Sequence, residues 1–125
     1  MERATVWSEP DSSIGLAVLQ HGFTRTPAAL SGIAQQLAAA GIATARPHLR
    51  SLRRAAGFHD PEHVARLGGE LASRSAGRPL IGIGHSAGAA AVVHMAACTG
   101  AFAGLLLIDG VDSVDGRMAR ALAEL

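Results

Sequence analysis

The 125-residue sequence contains no lysine and a single cysteine. With Cys98 alone, no intrachain disulfide can form, and a reducing cytoplasm is the expected compartment. The thiol falls in an apolar stretch and reads as a buried packing group rather than a reactive one. All eleven basic residues are arginine, which together with the abundance of alanine points to a GC-rich bacterial genome. A net charge of +1 leaves no positive field for a phosphate backbone, so no nucleic-acid partner is expected. No apolar run reaches the ~20 residues of a membrane span, and Met1-Glu2-Arg3-Ala4 does not open a signal peptide. Internal repeats and low-complexity segments are missing as well. Neither a metal-ligand cluster nor a phosphate loop is visible. Gly82-Ile83-Gly84 is too short and wrongly continued for a dinucleotide fingerprint, so no cofactor or metal is expected. What remains is 49% hydrophobic and 17% charged, a single globular domain over residues 1–125 able to bury roughly two-thirds of its unfolded surface.

Apolar runs alternate with capped amphipathic segments along this domain. Ala4-Thr5-Val6-Trp7 reads as a short strand before the turn-rich Ser8-Glu9-Pro10-Asp11-Ser12-Ser13. Ile14 to Gln20 is a near-continuous apolar run without alternation, as in a parallel strand buried on both faces. Thr26 as N-cap and Pro27 at the first position open a helix whose stripe is Leu30, Ile33, Ala34 and Leu37, with Gly41 as its stop. Ile42 to Ala45 is a weak strand ended by Arg46-Pro47. The loop from His48 to His59 carries Arg50, Arg53 and Arg54, read as a solvated loop or as a greeting for an anionic substrate. Asp60-Pro61 opens a second helix lined by Val64, Leu67 and Leu71 and closed by Gly77. Ala103 to Ile108 reads as another buried strand, followed by a final helical segment in which Val114, Met118, Leu122 and Leu125 keep helical spacing. Such alternation specifies an α/β chain with a three-layer, doubly wound, mostly parallel sheet.

Gly84-His85-Ser86-Ala87-Gly88 organises the chain. It follows the short β-run Pro79–Ile83 and precedes a helix of small residues, so G-x-S-x-G stands here in the strand–turn–helix context of a nucleophile elbow. A serine in a strained turn needs almost no side chain two positions either side, and Gly84 and Gly88 meet that need. The turn would lift the hydroxyl clear of the sheet, near the positive end of the helix dipole. His21-Gly22-Phe23, Ser86 and Asp109 all fall at carboxyl ends of strands, where open α/β sheets place their chemistry.

These three landmarks, in this order, resemble the α/β-hydrolase superfamily of the chlorophyllase-like and esterase–lipase type. His21-Gly22-Phe23 resembles its oxyanion segment, Gly84–Gly88 its elbow, and Leu107-Ile108-Asp109-Gly110-Val111-Asp112 its acid-bearing strand end, with Gly110 in place of a proline. The resemblance implies Ser86 as nucleophile and the backbone N–H groups of Phe23 and Ala87 as oxyanion hole. It implies Asp109 as the acid, with Asp112 as the alternative, and a small-molecule ester or acyl substrate. Both aspartates also read as turn formers or helix caps.

The family's order places the histidine last, and no histidine follows His94. His94 lies about two helical turns beyond Ser86 at ~1.5 Å per residue. His48 and His59 flank a loop able to approach the strand ends. The sheet also lacks the family's last strands, which leaves the Leu105–Ile108 run as a bare apolar edge open to self-association. The expectation is therefore the front part of a longer hydrolase. Two readings stand: a serine hydrolase, or a truncated or pseudo-enzyme domain that binds or associates without turnover.

Overall fold

The computed structural model of the protein describes residues 5–22, 27–49 and 60–108. Five strands form one sheet: β1 (Val6–Ser8), β2 (Gly15–Gln20), β3 (Ile42–Arg46), β4 (Leu80–His85) and β5 (Gly104–Ile108), in the order β1-β3-β2-β4-β5. β1 runs antiparallel to β3, and the other pairings are parallel. Parallel neighbours need crossovers, and α1 (Ser31–Ala39), α2 (Pro61–Arg74) and α3 (Ala87–Thr99) supply them. Leu16 pairs with Leu80 and Ile83 with Leu106, so the three apolar strands lie side by side as their sequences require.

β2 is buried at every position because helices cover both of its faces. Leu16 and Val18 point into a core with Val64, Leu67 and Leu71 of α2 and Ala91 and Met95 of α3. Ala17 and Leu19 point the other way, to Leu30 and Ala34 and to Ile83 of β4. The period of two along one strand thus feeds two separate cores. α2 and α3 approach closely where Gly68 faces Met95: a Cβ there would sit 3.1 Å from the Met95 Cβ.

Local chemistry sets most boundaries. Asp60 Oδ1 accepts from the Glu62 N–H at 3.0 Å, and Pro61 takes the first position of α2, where its missing N–H costs nothing. Gly41 ends α1 at φ +82. Other expectations need correction. Pro27 opens a single 3-10 turn, Pro27–Leu30, and α1 follows it with Leu30 as an N-cap that offers no side-chain acceptor; Thr26 lies outside the described residues. α2 ends at Arg74 with Ser75 as cap, two residues before Gly77, since the Ser75 hydroxyl donates to the Ala72 carbonyl and closes the turn early. β5, read as a buried strand, is exposed or half-buried along its length, with Leu106 56% exposed, while its place at the sheet edge among the described residues is the one expected. Ala4, the Arg50–His59 part of the basic loop and the Val114–Leu125 segment lie outside the described residues.

Candidate active site

Ser86 is the single residue between β4 and α3, with φ 54 and ψ −121. A residue with a Cβ reaches that conformation only when its surroundings force it, and the two flanking glycines show how. A Cβ on Gly84 would lie 2.6 Å from both the Ala89 Cα and the Gly88 carbonyl oxygen, so α3 passes directly over the end of β4. A Cβ on Gly88 would instead collide with the Gln20 and His21 carbonyls, the latter at 2.5 Å. The second glycine therefore serves the approach of α3 to β2, a contact that sequence spacing had assigned to β4. Two hydrogen bonds fix the turn. The Ser86 N–H donates to the Ile108 carbonyl at 2.9 Å, and the Ser86 carbonyl accepts from the Ala89 N–H at 3.0 Å. Ala87 follows as the first residue of α3, where backbone N–H groups have no intrahelical acceptor and the dipole is positive.

The strand order sets what surrounds this turn. β2 and β5 flank β4, so the carboxyl ends at Gln20-His21-Gly22, Ser86 and Ile108 lie side by side. Phe23, Asp109 and Asp112 lie outside the described residues, although Gly22 and Ile108, which immediately precede the first two, are in place.

His21 is 2% exposed and fully engaged. Its Nδ1 lies 2.8 Å from the Gly22 carbonyl oxygen, and the Leu49 N–H donates to its Nε2 at 3.0 Å. One ring nitrogen must accept and the other must donate, which fixes the neutral tautomer with the proton on Nδ1. Burial pushes its pKa below the ordinary histidine value, opposed in part by the bond to Gly22. The His48 ring stands edge-on to it, centroids 5.4 Å apart. Beside it the buried Gln20 side chain donates to the Pro47 carbonyl at 3.4 Å. Together the two side chains clasp residues 47–49 onto the end of β2. Sequence reading placed His21 in a backbone segment and missed this clasp; the available signal was two polar residues closing a run otherwise buried throughout.

The remaining expected positions divide. By strand alternation His85 shares the face of Ile81 and Ile83, away from the elbow's apex. His94 sits down α3 with its Nε2 3.5 Å from Cys98 Sγ. Cys98 is exposed, not the buried packing group expected: one helical turn beyond His94 it falls on the outer side of α3, while Val92, Met95 and Ala96 face inward. Among the described residues no group of three or more potential metal ligands occurs, and no helix is long and apolar enough to cross a membrane.

Neither a protein-family model nor a curated protein matches the chain by sequence. Solved structures do match by shape. A monoacylglycerol lipase of Paleococcus ferrophilus superposes with TM-score 0.69 at 18% identity, covering 88% of this chain and 44% of that one. The thioesterase domain from the curacin biosynthetic pathway gives 0.66 at 19% identity, with 85% and 41% covered. A carboxyl esterase of Bacillus coagulans gives 0.65 at 20%, with 82% and 38% covered. The chain thus spans about two fifths of the length of these structures. The parallel β3-β2-β4-β5 core with helices on both faces is common ground with them, and the fold of this chain is that of an α/β-hydrolase.

Proposed function

We propose that this chain carries the nucleophile and oxyanion-hole elements of a serine hydrolase acting on small carboxylic esters or related acyl compounds. The observation that carries the reading is the backbone of Ser86, strained at φ 54 on a strand-to-helix turn at the carboxyl edge of the sheet. In this reading Ser86 Oγ attacks the acyl carbon while a histidine base takes its proton. The base then passes the proton to the departing alkoxide, leaving an acyl-serine that water cleaves. The Ala87 N–H at the head of α3 donates to the tetrahedral oxyanion. Phe23 supplies the second N–H. The bond from His21 turns the Gly22 carbonyl toward the ring, whose other nitrogen reaches Leu49 after β3. Asp109, with Asp112 as the alternative, orients the base. His21 and His94 are not given the base role, since one is held by Gly22 and Leu49 and the other lies about two turns down α3.

A second reading is a hydrolase-like domain that binds or associates without turnover, supported by the engagement of the His21 ring with Gly22 and Leu49, which leaves the base role unfilled by that histidine. One experiment separates the two. The 125-residue protein is treated with a fluorophosphonate and the labelled residue located by mass spectrometry, beside p-nitrophenyl acetate turnover. An intact site labels Ser86 rapidly and loses label and turnover in Ser86→Ala. Slow labelling confined to Ser86, with turnover near background, supports the non-catalytic reading. Label on another residue, or label that survives Ser86→Ala, refutes the nucleophile assignment.

A further inference from the structure

Three imidazoles gather at the carboxyl edge of the sheet, one from each of three neighbouring elements. His21 follows β2. His48 follows β3 and stands edge-on to the His21 ring, centroids 5.4 Å apart. His85 ends β4 at the same level, since it follows Gly84, the register partner of Gln20. Arg46, the last residue of β3, adds a guanidinium whose Nη1 donates to the Pro27 carbonyl at 3.0 Å. The Pro27–Leu30 turn brings no titratable group, and α3 meets this segment through Gly88, near the helix's positive end. Among the described residues, the ionisable groups around His21 are therefore all bases.

We propose that His21 is a proton-operated latch, which in acid releases the backbone of residues 47–49 from the end of β2 while keeping its hold on Gly22. Its two ring nitrogens respond differently to a proton. Nδ1–H donates to the Gly22 carbonyl at 2.8 Å and remains a donor in the imidazolium. Nε2 accepts from the Leu49 N–H at 3.0 Å, and once protonated it is a donor facing a donor. One bond is lost outright and the other is kept. Little polar contact remains to hold the segment. Gln20 Nε2 donates to the Pro47 carbonyl at 3.4 Å, beyond the usual range, and the buried Gln20 Oε1 has no partner until water reaches it. The side chain of Leu49, buried in the core beside α2, opposes the release and sets how acid the solution must be. An imidazolium at position 21 finds no carboxylate nearby, and Arg46 and any charged histidine beside it repel it. It is stable only where water reaches the ring, so proton uptake and opening are one event. The inference does not depend on Ser86 being a nucleophile.

Imidazole nitrogen NMR and amide hydrogen exchange on the full chain test it. At about pH 8 the His21 ring should be neutral with its proton on Nδ1, and the Leu49 amide protected. Below about pH 6.5, after correction for the intrinsic exchange rate, opening at Leu49 should rise roughly tenfold per pH unit in step with ring protonation. The amides of Leu16 to Leu19, inside the β2 ladders, should keep their protection over the same range. His21→Gln, which cannot titrate, should remove the acid dependence at Leu49. A Leu49 amide that is unprotected at pH 8, or equally protected down to pH 5, would overturn the proposal. So would a proton resident on Nε2 at pH 8, loss of protection at Leu16 to Leu19 at the same pH as at Leu49, or an acid dependence that survives His21→Gln.

Discussion

Replacing Gly88 by alanine adds one methyl group at the tightest backbone approach around the elbow. An ideal Cβ there meets the His21 carbonyl oxygen at 2.5 Å and the Gln20 carbonyl carbon at 2.8 Å. Neither atom can rotate aside as a side-chain terminus would, because both belong to the buried end of β2, itself paired with β3 and β4. The cost should therefore fall at the upper end of the usual range for overpacking, about 3 kcal/mol, against a total stability of only about 5–15 kcal/mol. With a urea dependence of about 1–3 kcal/mol per molar, the unfolding midpoint should fall by roughly 1 M or more. Gly32→Ala is the control, since a Cβ at that site in α1 meets nothing within 4 Å. It should raise stability by about 0.5–1 kcal/mol through helix propensity. Circular dichroism against urea on both variants decides the matter. A Gly88→Ala protein with the parent's midpoint, or a fall of equal size in both variants, would refute the close approach of α3 to β2.

Ser86→Gly should have the opposite sign, gaining about 1 kcal/mol by relieving the strained turn while losing any fluorophosphonate label; a destabilised variant would contradict the strain, and thermal melts measure it. Acid should weaken the His21 clasp. The folded-state pKa lies below 6.5, so as pH falls past that value the unfolded chain takes up a proton that the folded chain refuses. Stability should therefore decline from about pH 6.5 downwards and level off once the lowered folded value is passed. Urea midpoints measured down this range should show a slope that is reduced in His21→Asn, and an identical slope in the two proteins would count against the clasp.

The parts legible in the sequence are those with a local physical cause. A strand buried on both faces has no polar alternation to show, which is why Leu16–Leu19 disclosed both its type and its central place. Asp60-Pro61 announced α2 because a cap and a proline act on their own turn. Gly84 and Gly88 marked the elbow, yet which backbone each one meets depends on strand order and was not legible. α3 hid more. Its residues from Ala87 to Thr99 are small and apolar almost all round, so no period showed that Cys98 faces outward. Pro27 reads identically before a 3-10 turn and an α-helix. The buried state of Gln20 and His21 arises from the segment after β3, far away in sequence, which no local pattern carries.

The hydrogen bond from the Ser86 N–H to the Ile108 carbonyl extends the β4–β5 ladder by one rung into the elbow itself. The serine and the chain leaving β5 are thereby held in step by sheet register, independently of the Gly100–Ala103 connection between α3 and β5. That connection can lengthen or shorten without altering the spacing between Ser86 and Ile108. A slip of β5 by two residues would keep every side chain on its proper face and still move Ile108 by about 7 Å relative to Ser86. The carboxyl end of β5 would then be out of step with the elbow in a protein whose core looked intact.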